Sequence, residues 1–217
     1  MNFFEIENVA FRIFDYPVSY VELIGTLFGL ISVYFATKRH VLTWSTGIIN
    51  EVFLFFLFFQ VQLYADMFLQ TYFFGVTMYG YYKWKTRVDD VEISNMNTRS
   101  KISIISIILI GTVLAGYFFS EIHNLFPTHF KVQAAYPYGD SFIMVSSIIA
   151  IVLLAKKRIE NWYLWITVDV VCVVLYFKKG VYFLSLEYMI FLGLASYGLY
   201  NWKKIKQHET LHETAHH

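Results

Sequence analysis

The chain has 217 residues, 57% of them hydrophobic, 20% aromatic and only 15% charged, with a mean hydropathy of +0.50. That balance is too apolar for a water-soluble domain of this size and assigns the chain to a bilayer. A formal net charge of +1 gives no bulk attraction to nucleic acid, and a single cysteine, Cys172, has no disulfide partner.

Residues 1–18 mix Phe3, Phe4, Val9, Phe11, Ile13 and Phe14 with Glu5, Glu7 and Arg12, which predicts an interfacial helix. Acidic Glu5 and Glu7 stand where a signal peptide would carry basic residues, so no removable segment is expected. Seven apolar segments follow, at 20–37, 42–60, 64–84, 102–120, 139–155, 162–178 and 181–202. Each is long enough to cross the hydrocarbon core as a helix, which takes roughly 17–25 residues. Their apolar runs are continuous and lack the alternation of barrel strands. The chain ends in a polar, His-containing stretch, HETLHETAHH, read as a solvated tail without a metal site.

Basic residues orient these segments. One face collects Lys38, Arg39, Lys83, Lys85, Arg87, Arg99, Lys101, Lys156, Lys157, Arg158, Lys203, Lys204 and Lys206, against Arg12, Lys131, Lys178 and Lys179 on the other. The positive-inside rule then places the carboxyl terminus in the cytoplasm and the amino terminus outside.

Sliding the chain on itself by 118 residues without a gap brings Trp44 onto Trp162, Tyr64 onto Tyr182 and Gly75 onto Gly193. The endings YGYYKWK and YGLYNWKK superpose through Gly80 and Gly198 and through Trp84 and Trp202. This weak internal symmetry is that of a transporter repeat. The expected architecture is an all-α membrane protein of seven transmembrane helices, two parallel three-helix repeats joined by a linker helix. Its parts are an interfacial helix at 1–18, a first repeat at 20–86, a linker region at 87–138, a second repeat at 139–204 and a cytoplasmic tail at 205–217.

The same shift places Glu51 on Asp169, each near the centre of its own predicted helix. A midplane carboxylate costs roughly 2.5–3.5 kcal/mol on insertion scales, so it faces the protein interior or a wet cavity. No Lys or Arg is predicted at that depth, which points to a cation that arrives as cargo, or to a proton. At helical spacing Glu51 shares a face with Trp44, Gly47, Ile48, Phe55 and Phe58, and Asp169 with Trp162, Trp165, Cys172 and Tyr176. Aromatic rings beside carboxylates suit a flat organic cation through stacking and cation–π attraction. Asn50 offers an amide, Gln60, Gln62, Asp66 and Gln70 are candidates for an outer vestibule, and Glu187 for structure or access.

The stretches QVQLYADMFLQTYFFGVTMYGYYKW and ENWYLWITVDVVCVVLYFKKGVYFLSLEYMIF resemble the two repeat signatures of the PnuC family of bacterial vitamin transporters, from about residue 20 to the last helix. The resemblance implies a SWEET-like three-one-three helix order in the bacterial inner membrane, a homotrimer, and facilitated diffusion of a vitamin that a cytoplasmic kinase traps as its phosphate. It implies no catalytic residue, cofactor or metal, in keeping with the lack of a P-loop or metal-ligand spacing. It places the binding site between the repeats, at Asn50, Trp162, Trp165 and the position of Asp169. Asp169 stands where the nicotinamide riboside pattern has asparagine, and Glu51 where it has an apolar residue. An aminopyrimidine and a thiazolium suit two carboxylates, so thiamine is expected narrowly ahead of nicotinamide riboside, with a proton-coupled carrier as the less favoured reading.

Overall fold

The computed structural model describes residues 5, 7–13, 16–60, 64–86, 92–126, 135–180 and 182–215. In place of the expected interfacial helix, two short strands, β1 (Val9–Ile13) and β2 (Tyr16–Ser19), pair antiparallel with Val9 opposite Ser19 and Ile13 opposite Tyr16. The apolar residues Val9, Phe11 and Ile13 recur with period two, the strand spacing, and that local pattern overrides the mixed composition. Ser19 ends the hairpin and caps the first helix, its side chain accepting from Glu22 N at 3.2 Å.

Among the described residues seven helices follow: α1 (Tyr20–Thr37), α2 (Leu42–Gln60), α3 (Tyr64–Thr86), α4 (Thr98–Leu125), α5 (Pro137–Ala155), α6 (Glu160–Lys178) and α7 (Tyr182–Ala215). Five of them, α1, α2, α4, α5 and α6, are long and apolar enough to cross a membrane by themselves. α3 and α7 are more polar on average, α7 because it runs on through the stretch expected to be a tail. An ion pair from Arg39 to Glu209 ties that extension back to the end of α1.

Neighbours in sequence pack together from α1 to α3 and from α4 to α7, and two further contacts, α1 with α7 and α3 with α5, join the first three helices to the last three. The two groups repeat each other in detail. Both first turns close through a non-glycine residue in the left-handed region, Arg39 at φ 56° and Lys157 at φ 51°. Such a residue costs about 1–3 kcal/mol unless its surroundings fix it, and the same bonds do so at both places. His40 N donates to Phe35 O and Arg158 N to Leu153 O; Trp44 N donates to Val41 O and Trp162 N to Ile159 O.

Where the groups meet, Trp44, Trp84, Trp162 and Trp202 are all at most 3% exposed. Trp44 meets Trp84 edge-on at 5.2 Å, Trp162 meets Trp202 at 5.5 Å, and Trp84 and Trp202 lie 6.3 Å apart. The indole of Trp84 donates across to Ala155 O at 3.1 Å, and that of Trp202 donates across to Ala36 O at 2.9 Å. Each bonds a carbonyl at the end of the opposite group's first helix, where intrahelical donors run out; Ala36 O also accepts from Arg39 N at 3.0 Å.

Candidate functional site

Glu51 lies in the middle of α2 and is 5% exposed. Thr77, reaching in from α3, donates its hydroxyl to Oε1 at 2.5 Å, while Oε2 has no partner among the described residues. Gly47 lies one turn away: a Cβ there would stand 3.3 Å from Ser32 Oγ, a tight contact, and 3.9 Å from Glu51 Oε1, an ordinary one. Ser32 and Thr43 exchange two bonds between α1 and α2, Ser32 Oγ to Thr43 O at 2.7 Å and Thr43 Oγ1 to Ser32 O at 2.9 Å. Asn50 completes the bracing by donating Nδ2 to Gly25 O at 2.8 Å.

Asp169, in the middle of α6, is 4% exposed. Its electrostatic neighbours are Cys172 on its own helix and Tyr188 on α7. Tyr188 stacks on Tyr176 at 5.4 Å with the planes 9° apart, and leans on Phe191 at 6.0 Å. Phe191 reaches toward α1 at Gly29, beside the amide of Asn50. An aromatic row of Tyr176, Tyr188 and Phe191 therefore leads from α6, the helix of Asp169, to the braced amide of the other helix group. The end of the row carries Lys179, whose Nζ lies 5.6 Å from the Tyr176 ring centre and 2.9 Å from Asp140.

The other residues singled out from the sequence separate into groups. Trp44 and Trp162 belong to the buried tryptophan cluster, pressed against Gly80 and Gly198, so both rings pack protein on their faces. Trp165 is half-buried against the same cluster. Phe55 is half-buried, edge-on to Phe56 at 5.8 Å. Of the expected vestibule, Gln60 bonds back to Phe56 O at 3.1 Å and Gln70 is buried; Gln62 and the side chain of Asp66 lie outside the described residues. Glu187 bonds to Thr26 and faces Glu22, which accepts from the Tyr16 hydroxyl at 3.0 Å.

The ion pairs seen among the described residues, Arg39 with Glu209, Lys101 with Glu160 and Lys179 with Asp140, all lie at helix ends, and none involves Glu51 or Asp169. Thr77, Tyr188 and Phe191 are the side chains that the sequence reading passed over. Two signals for them were present: Thr77 follows Gln70 by two helical turns, and Tyr188 sits on Gln70 under the internal shift.

The chain as a whole is similar to known transporters. Residues 19–204 match the family described as nicotinamide mononucleotide transporter. The nicotinamide riboside transporter PnuC of Escherichia coli K12 is 30% identical over 93% of this chain and 94% of its own length. The riboflavin/roseoflavin transporter RibM of Streptomyces davaonensis is 27% identical over 91% of both chains. The crystal structure of the vitamin B3 transporter PnuC has the same fold, with a TM-score of 0.66 at 21% identity, covering 87% of this chain and 83% of that one. The chain is a multi-pass membrane protein and belongs to the nicotinamide mononucleotide transporter family.

Proposed function

We propose that the protein takes up nicotinamide riboside by facilitated diffusion, with α1–α3 and α5–α7 as parallel repeats about an axis along the membrane normal and α4 as their linker. The observation that carries the substrate is the similarity, over almost the whole of both chains, to a nicotinamide riboside transporter. This replaces the thiamine expectation, which rested on two carboxylates alone. One of those acids is already engaged: Glu51 accepts from Thr77, which leaves Asp169 as the counter-charge for a pyridinium. A planar cation beside Asp169 would stack on the row formed by Tyr176, Tyr188 and Phe191. The Asn50 amide is of a kind to bond a carboxamide or ribose hydroxyl at the other end of the row.

The basic ends of α1, α3, α5 and α7 face the cytoplasm in this reading, as the positive-inside rule requires. A cytoplasmic kinase then holds the riboside inside as its phosphate. Uptake of labelled nicotinamide riboside, thiamine and riboflavin into liposomes containing the purified protein tests the assignment. Saturable riboside uptake that the other two vitamins do not compete away is expected. Thiamine uptake in its place would restore the two-carboxylate reading, and a dependence on an imposed pH gradient would favour a proton-coupled carrier.

A further inference from the structure

The internal symmetry has one conspicuous break, and it forms a slot. α4 packs along α5 and leaves a space of about 620 Å³ between itself and α3. Ile149, Val152 and Leu153 of α5 form its floor, with Tyr72 of α3 and Ile104 of α4 as walls. The mouth is made by Lys156, Arg158 and the start of α4 at Asn97. From Ile148 to Lys156 the floor runs eight residues, or about 12 Å at the helical rise, close to the roughly 15 Å depth of one leaflet. The slot is therefore apolar toward the bilayer centre and cationic at the membrane surface, and among the described residues no acidic one lines it.

The cations at the mouth are differently placed. Arg158 is held, its Nη1 donating to Ser94 Oγ at 2.8 Å and to Asn95 O at 3.2 Å, so the guanidinium keeps a fixed orientation. Lys156 is exposed. Its counterpart in the first helix group, Lys38, is taken up by the Tyr197 hydroxyl at 2.6 Å. Among the described residues no second linker helix stands beside α1, so the slot has no counterpart there.

We propose that this slot is a specific binding site for an anionic phospholipid of the leaflet at the basic end, its phosphate held by Lys156 and Arg158 and one acyl chain lying between α3 and α4. A helix from a second copy fits worse: a cylinder about 10 Å wide and 12 Å long occupies roughly 900 Å³, more than the slot holds. A lipid seated there touches the first helix group through Tyr72, the linker through Ile104 and the second group through α5, and so couples the transport cycle to the charge of the membrane. The inference rests on the membrane placement proposed above and not on the identity of the cargo.

Native mass spectrometry of the full-length protein, equilibrated with phosphatidylglycerol or phosphatidylcholine, tests it. The wild-type chain is expected to retain one phosphatidylglycerol in preference to phosphatidylcholine. Lys156→Gln lowers that retention about fivefold, the effect of one cation at a lipid surface. Ile149→Trp, which fills the slot, abolishes it; Ser103→Trp from the opposite wall serves should the first variant fail to fold. Equal retention of both lipids, or retention unchanged in both tryptophan variants, overturns the proposal. Displacement of the lipid by inorganic phosphate would assign the site to a soluble anion, and loss of an oligomer in the tryptophan variants would assign it to a second copy. Riboside uptake measured on the same samples is a separate readout, so failure of the lipid site and failure of the transport assignment are told apart.

Discussion

The first three helices and the last three share a scaffold and differ at their centres. Their turns, tryptophans and tight glycines correspond position by position, down to the left-handed Arg39 and Lys157. The central acids correspond too, but their surroundings do not. Glu51 is met by the Thr77 hydroxyl and flanked by the amide of Asn50. At the matching places around Asp169 stand Ala195 and Val168, both about 1% exposed and neither able to bond a carboxylate. Duplication supplies a frame that closes on itself, whereas an asymmetric vitamin requires two unlike walls. In the proposed reading one acid is braced by its own protein and the other is left for cargo.

The sharpest way to break this comparison is to neutralise each acid in turn. If Asp169 bonds the cargo as proposed, Asp169→Leu removes both the charge and the bonding group, which asparagine would keep in part, a loss of about 1.5–3 kcal/mol, so riboside uptake should fall roughly 10- to 100-fold at unchanged melting temperature. Glu51→Gln keeps an acceptor for Thr77 and should cost much less uptake. Equal losses in the liposome assay would show that both acids meet the cargo and that the asymmetry is without functional meaning. The shared frame is probed by Gly80→Ala and Gly198→Ala. In each, a Cβ would sit 2.6 Å from an indole, Trp44 in one case and Trp162 in the other. Overpacking of this kind costs about 1–3 kcal/mol, and thermal unfolding should show similar losses for the two variants.

How much of this was legible in the sequence follows the same division. Spans α1 and α2 are found where the hydropathy placed them, because nothing competes with a long apolar run flanked by charges. The internal shift was readable because the paired tryptophans and glycines pack against one another and admit few substitutes. The hairpin at β1 and β2 was not, since strand and helix periods are hard to separate in a short mixed segment. At the site, the two acids stood out by cost alone. Their partners did not: Thr77 and Tyr188 are ordinary membrane-helix residues until a neighbouring helix brings them to a carboxylate or a ring. The packing role of Trp44 and Trp162 was hidden for the converse reason. They share a helical face with the acids yet lie about two turns away, within the packed end of the bundle.

A smaller effect sharpens the contrast at Glu51. Thr77→Val keeps the volume and removes the donor, making the first centre resemble the second. Leaving a buried carboxylate oxygen without its hydroxyl costs about 1–3 kcal/mol. The melting temperature should drop and Glu51→Gln should become less damaging on that background, because the braced pair is already broken. A double-mutant cycle measured by thermal unfolding reads the coupling directly; additivity would mean that the 2.5 Å contact contributes nothing.

The smallest effects belong to the two indole bonds that cross between the helix groups. Trp84→Phe removes the donor to Ala155 O, and Trp202→Phe removes the donor to Ala36 O. Each retains most of the ring packing, so each should cost only the net value of one hydrogen bond, about 0.5–1.5 kcal/mol. The two donors are counterparts and their acceptors are offset by one position under the internal shift, so the two losses should be similar. The environments are not quite identical, however: Lys157 Nζ lies 5.3 Å from the Trp84 ring centre, whereas Arg39, its counterpart, is engaged by Glu209. Phenylalanine is a weaker cation–π partner than tryptophan. Trp84→Phe should therefore be slightly the more costly, and Lys157→Met should erase the difference. If the order is reversed, the local charge environment and not the duplicated frame governs how tightly this end of the bundle is held.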